Sequence, residues 1–172
     1  IQDYTGTNFS VYKREEGETI IKYNTSGDII ENNEMYSKVM LGKCETCNPF
    51  YKNSFDGFSY DTVLVVGLGL GLVPYELSEV NGCSKIDVLE IDQEIIDYTI
   101  LSGHLNSDIN LIQGDIYNYT TTETYDLIII DTIWYAHEMS NEDCELLKSR
   151  LLPNINTGGA LYFPIKEKFI IR

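Results

Sequence analysis

The sequence predicts an α/β fold, a doubly wound and mostly parallel sheet preceded by a small β-rich N-terminal extension. Three observations predict it. The run Asp61-Thr-Val-Leu-Val-Val-Gly-Leu-Gly-Leu-Gly-Leu72 places a β-branched strand directly before the glycines Gly67, Gly69 and Gly71. The apolar run Val88-Leu-Glu-Ile-Asp92 follows about twenty residues later, the spacing of a strand–helix–strand crossover whose second strand ends in an acid. From Asp61 onward, strand-like and helix-like segments alternate, as they do in parallel α/β sheets.

Residues 1–58 are expected to form the extension. They are polar, rich in Tyr, Asn and Thr, and dense in turn residues. The alternating patches Phe9-Ser-Val-Tyr12 and Thr19-Ile-Ile-Lys-Tyr23 read as antiparallel strands, with turns at Glu16-Gly17 and Ser26-Gly27-Asp28. A helix is expected near Asn33–Leu41, ended by Gly42, and then a loop from Cys44 to Phe58.

Residues 59–172 carry the parallel domain. Its first strand is Val63–Val66, followed by the glycine turn and a helix over Leu72–Val80. Ile86–Glu90 is the second strand, and the next helix runs from Gln93 to Leu101 with Gly103 near its end. Ile109–Ile112 and Leu127–Ile130 are the third and fourth strands, the fourth apolar on both faces as a buried parallel strand should be. Ser140 opens a helix through Leu152, with Asp143 three residues on as the capping-box acid. Gly158-Gly159 is expected to turn the chain into a fifth strand, Ala160–Phe163.

Composition narrows the partners. The 172 residues are 43% hydrophobic, enough for a sizeable core, and the net charge is −15 with the acids scattered. A nucleic-acid backbone requires a positive surface, so nucleic acid is not an expected partner. A small cationic substrate suits the negative field, as does plain solubility. No apolar run is long enough to cross a bilayer and no basic-then-apolar leader is present, so the expectation is a cytoplasmic chain with no membrane partner. Cys44-Glu-Thr-Cys47 is a single C-x-x-C far from His104 and His137, so no metal is expected; it reads as a structural loop or incidental thiol pair, the alternatives being redox activity or a metal shared with another chain. Strand-prone segments such as Thr19–Tyr23 suggest an exposed edge and hence a homodimer.

In an open parallel sheet the ligand lies over the carboxyl ends of the strands. The acids there are Glu90, Asp115 and Asp131. Glu90 suits ribose hydroxyls, while Asp92 either assists or caps the following helix. Asp115 either accepts from an adenine amino group, with Ile116 packing on the ring, or is a turn residue after Gly114. Asp131 is the candidate for chemistry, the alternative being a cap for the next loop. Trp134 and Tyr135 are either an aromatic wall for the acceptor or core and lid residues.

The order Gly67-x-Gly69-x-Gly71, Glu90-Ile-Asp92, Gly114-Asp115 and Tyr125-Asp-Leu-Ile-Ile-Ile-Asp131 resembles class I S-adenosylmethionine-dependent transferases, most of all the spermidine synthase group. The likeness runs from about residue 9 to 163 and includes Asn33-Glu-Met-Tyr-Ser-Lys-Val-Met-Leu41, similar to the family's acidic-aromatic helix. It implies a Rossmann-like fold, S-adenosylmethionine or its decarboxylated form as cofactor, and transfer to a small acceptor. It further implies Gly67, Gly69, Gly71, Glu90, Asp92, Asp115 and Ile116 at the cofactor, Asp131 in catalysis, and Tyr36 beside the acceptor with Trp134 and Tyr135. The acceptor site departs from the group: Leu70 and Trp134 stand where it carries acids, and Ser37 and Lys38 replace a His and a Glu. The final antiparallel strand pair is missing or reduced to Lys166–Arg172. These departures imply methyl or alkyl transfer, with aminopropyl transfer and a non-catalytic binding or assembly module as alternatives.

Overall fold

The computed structural model describes residues 3–13, 19–23, 29–30, 60–79, 83–103, 105–132, 139–163 and 168–172. The helix expected at Asn33–Leu41, the N-terminal turns and the Cys44/Cys47 pair lie outside these residues, as do Tyr36, His104, Trp134, Tyr135 and His137. The chain divides into two units. One comprises 1–57 with 97–104, and the other 58–96 with 105–172.

The first unit holds a four-stranded antiparallel sheet of β1 (Tyr4–Thr5), β2 (Phe9–Lys13), β3 (Thr19–Tyr23) and β4 (Ile29–Ile30), in that order. Phe9 and Val11 are buried, and the rings of Tyr4, Phe9 and Tyr98 cluster with centroids 5.1–5.9 Å apart. The expectation that Thr19–Tyr23 is an exposed edge is corrected. β3 is bonded on both sides, to β2 along its length and to β4 through the Ile21–Ile30 and Lys22–Ile29 pairs.

The second unit is a Rossmann-like α/β structure with a six-stranded, mostly parallel sheet. Its strands are β5 (Thr62–Val66), β6 (Lys85–Glu90), β7 (Ile109–Gln113), β8 (Tyr125–Ile130), β9 (Ile155–Phe163) and β10 (Lys168–Ile171). They lie in the order β10-β9-β8-β5-β6-β7, with only β10 antiparallel. Val63–Val66 and Leu127–Ile130 are buried throughout because both sit in the middle of the sheet. β7 is an edge strand, and there Asn110 is exposed beside buried Ile109.

Helices α1 (Leu72–Glu79), α2 (Gln93–Ser102) and α3 (Asn141–Leu151) connect the strands. Pro74 is tolerated because it falls in the first turn of α1, where no intrahelical N–H bond is lost. Ser140 caps α3, and the full box with Asp143 forms as expected. Pro153 then sits in a single 3-10 turn leading into β9.

Two expectations at the C-terminal side change. Gly158-Gly159 lies within β9, not ahead of it. Tyr125 pairs with Ile155 but Leu127 with Ala160, so two residues of β8 advance against five of β9. Gly158 takes φ +85°, and a Cβ on Gly159 would fall 2.6 Å from the Asp126 carbonyl oxygen. The bulge therefore needs both glycines. The reduced C-terminal segment is a true strand, with Lys168–Ile171 pairing back onto Ala160–Phe163.

Candidate functional site at the carboxyl ends of β5 to β8

The chain runs outward from β5 to β6 and β7, then returns to the other side of β5 as β8. That reversal opens a switch point between β5 and β8, where an α/β sheet offers a crevice. The strand ends there are tied together by backbone bonds one residue beyond the strands. Gly67 N–H donates to Leu89 O, Gly114 N–H to Glu90 O, and Asp131 N–H to Val66 O, each at 2.8 Å.

The glycine turn has two sides. Leu68 and Leu70 point inward and are 4% and 1% exposed, anchoring the turn in the core. Leu70 is thus spent on packing. Gly67 has φ +98°, and a Cβ there would lie 2.2 Å from the Asp131 carbonyl oxygen. Gly69, at φ +52°, faces open space among the described residues, none of which comes within 4 Å of a built Cβ. One glycine lets β5 and β8 close together, and the other leaves backbone accessible to a ligand.

Glu90 is 7% exposed, and both its oxygens are engaged. Oε2 accepts from Leu68 N–H at 2.8 Å and Oε1 from Asp92 N–H at 2.9 Å. The carboxylate bridges the glycine turn to the start of α2, and each oxygen keeps a further lone pair. Asp92 caps α2, its Oδ1 accepting from Glu94 N–H at 2.9 Å. Asp115 is turned on its own loop, taking Tyr117 N–H and Asn118 Nδ2, each at 2.9 Å. Ile116 is 8% exposed and packs into the core cluster that contains Leu89.

Asp131 differs from the other acids. No side chain or backbone donor reaches its carboxyl group among the described residues, and burial alone pushes its pKa up to about 7. The next residue, Thr132, has a buried hydroxyl with no hydrogen-bond partner among the described residues. Sequence reasoning passed over Thr132. The available signal was a hydroxyl residue directly after a strand-end acid.

An adenosyl ligand fits this donor set: open backbone at Gly69, spare carboxylate lone pairs at Glu90, and two unsatisfied polar side chains across the switch point. No group of three or more His, Cys, Asp or Glu side chains is placed to hold a metal ion among the described residues. No helix among them is long and apolar enough to cross a membrane.

No protein-family model and no curated protein sequence matches the chain. Solved structures do. The N-methyltransferase NodS from Bradyrhizobium japonicum WM9, in complex with S-adenosyl-L-homocysteine, matches with a TM-score of 0.57 at 17% identity, over 78% of this chain and 63% of its own. The glycopeptide N-methyltransferase MtfA, complexed with S-adenosyl-L-homocysteine, gives 0.53 at 15%, over 66% and 48%. The plantazolicin methyltransferase BpumL, in complex with a pentazolic desmethylPZN analog and S-adenosylhomocysteine, gives 0.55 at 20%, over 76% and 51%. The chain spans between 48% and 63% of the length of these three. At such identities the likeness shows the fold alone, a Rossmann-like α/β fold shared with these methyltransferases.

Proposed function

We propose that this chain binds S-adenosylmethionine over the carboxyl ends of β5 to β8 and transfers its methyl group to a small acceptor. The observation that carries the reading is Asp131, whose carboxyl has no donor among the described residues and whose backbone abuts the glycine turn. The donor, when bound, supplies an electrophilic carbon on a sulfonium. The protein's task is then alignment and proton transfer, and proximity accounts for much of the acceleration. Gly67, Gly69 and Gly71 shape the approach, and the spare lone pairs of Glu90 accept from ribose hydroxyls. Asp92 and Asp115 hold α2 and the loop after β7 in place, and Ile116 braces that loop from the core. Asp131, with a pKa of about 7, is matched to taking a proton from the acceptor near neutrality.

Tyr36, Trp134 and Tyr135 are assigned to the acceptor on the sequence pattern alone, and a cationic acceptor suits the charge of −15. Aminopropyl transfer from the decarboxylated donor is the rival within the resemblance, and a binding module without catalysis is the rival outside it. A cytoplasmic chain without metal, membrane or nucleic-acid partners completes the proposal.

Calorimetric titration with S-adenosylmethionine and its decarboxylated form tests the reading. Methyl transfer requires binding of the carboxylated donor. Preference for the decarboxylated form would move the assignment to aminopropyl transfer. Binding of neither removes the enzyme reading.

A further inference from the structure

We propose that the two edges of the six-stranded sheet are complementary, so that the β10 edge of one copy of this chain pairs head to tail with the β7 edge of a second copy.

An edge strand presents unpaired N–H and C=O groups to any extended chain that meets it. The four-stranded sheet offers little of this kind, because it ends in β1 and β4, two residues each. β10 and β7 are longer, at four and five residues. Arg172 N–H donates to Gly159 O, so the alternate residues Ile170 and Lys168 also turn their backbone groups to β9, and those of Phe169 and Ile171 point outward. On the opposite edge Gly114 N–H donates to Glu90 O. Ile112 and Asn110 therefore face β6, and the backbone groups of Leu111 and Gln113 point outward. Among the described residues no strand lies beyond either edge. Ile170 packs against the core, whereas its neighbour Ile171 is 62% exposed and leaves apolar surface beside the β10 edge.

Charge decides which edge meets which. Residues 148–172, which complete α3 and form β9 and β10, carry five Lys or Arg and one acid. Residues 86–147, which include α2, β7 and β8, carry fourteen acids and neither Lys nor Arg. The sheet order β10-β9-β8-β5-β6-β7 thus runs from a basic edge to an acidic one. Lys168 and Arg172 bracket the outward groups of β10, and Asp108 and Asp115 bracket β7. Pairing β10 with β10, or β7 with β7, sets like charges side by side, which destabilises. Pairing β10 with β7 joins opposite charges and fixes the partner. The two copies use different surfaces, so the contact leaves one live edge at each end and assembly continues past the dimer.

Sedimentation velocity on the full chain, over a wide range of protein concentration, tests the inference. At low salt the wild type should form species larger than a dimer as concentration rises. About 1 M NaCl, which shortens the screening length to about 3 Å, should disperse them. Ile171→Pro and Gln113→Pro each remove one outward N–H without breaking a ladder bond, and each variant alone should be monomeric. An equal mixture of the two should give a one-to-one dimer and nothing larger, since each keeps the edge that the other lacks. Lys168→Glu spares the backbone and should weaken assembly about fivefold at low salt. Circular dichroism establishes that each variant is folded. A wild type that stays monomeric at low salt overturns the inference. So does a dimer that grows no further and is lost in Ile171→Pro but kept in Gln113→Pro, because that contact would be symmetric. Assembly indifferent to Lys168→Glu or to either proline lies elsewhere on the molecule and overturns it as well.

Discussion

Asp131→Asn should make the protein more stable above neutral pH while removing its chemistry. Burial without a compensating partner raises the carboxyl from its ordinary 3.8 to about 7. Between those values the folded state keeps a proton that the unfolded state releases. Stability therefore falls as pH rises through the window and levels off above about 7. At about 1.4 kcal/mol per pH unit the full gap amounts to ~4 kcal/mol. Asp131 is half-buried, and solvent relaxation around it brings the expected penalty to about 2 kcal/mol. Asparagine does not titrate and should abolish the slope. Urea midpoints measured from pH 4.5 to 8.5 should show variant and wild type converging at the acid end, with the variant ahead by about 2 kcal/mol at the alkaline end. Parallel curves would refute the argument, because they would mean that the carboxyl group is already paired or solvated. Under the proposed chemistry the same variant should lose roughly 10²-fold in turnover, the size of a positioned general base. Its affinity for S-adenosylhomocysteine, a neutral thioether, should stay near wild type. An equal loss of affinity would make Asp131 a binding residue.

Four further outcomes are expected. Gly67→Ala should destabilise by about 3 kcal/mol or more, since its Cβ meets the Asp131 carbonyl oxygen at 2.2 Å and its φ is +98°. Gly69→Ala should cost only about 1 kcal/mol, because it pays for left-handed backbone and meets no atom, yet it should abolish binding of an adenosyl ligand; equal destabilisation of the two variants sinks this division of labour. Glu90→Ala should weaken that ligand by at least about 1.5 kcal/mol in calorimetry and also loosen the glycine turn, as Leu68 N–H loses its acceptor; unchanged affinity in a folded variant would take Glu90 out of the site. Asp126 is raised by burial, but bonds from Asn156 Nδ2, Asp61 N–H, Thr62 N–H and the Thr62 hydroxyl outweigh this and hold it at about 2. Its contribution, about 1–2 kcal/mol after screening, is present above pH 4 and lost as pH falls toward 2, so Asp126→Ala should flatten the acid limb of the stability profile.

The sheet was legible because its central strands are buried on both faces and so appear as unbroken apolar runs. Ser140 and Asp143 were legible because a capping box is local in sequence. What failed to read was set by partners distant along the chain. Asp87, inside β6, looks like an error in an apolar strand until Tyr125 Oη and Asn110 Nδ2 are found donating to it, at 2.7 and 2.9 Å. The Gly158-Gly159 pair reads as a turn because its function, clearance for the Asp126 carbonyl, belongs to another strand. β4, the partner that removes β3 from the edge, is only two residues long and gives no pattern.

The same distinction orders the candidate site. Glu90, Asp115 and Asp131 look alike in sequence, each an acid at or just beyond the end of an apolar strand. What separates them, among the described residues, is whether a donor reaches the carboxylate. After Glu90 the chain bends so that Asp92 N–H returns to it, and after Asp115 the turn delivers Tyr117 N–H and the Asn118 amide. These acids are stabilised charges that organise loops, and Asp92 joins them by capping α2. Asp131 receives no donor among the described residues, and burial raises its pKa. A fold that satisfies three acids at the strand ends with its own turns, and among the described residues brings no donor to the fourth, has kept one group poised to titrate, and that group sits at the switch point where the proposed ligand and its acceptor would meet.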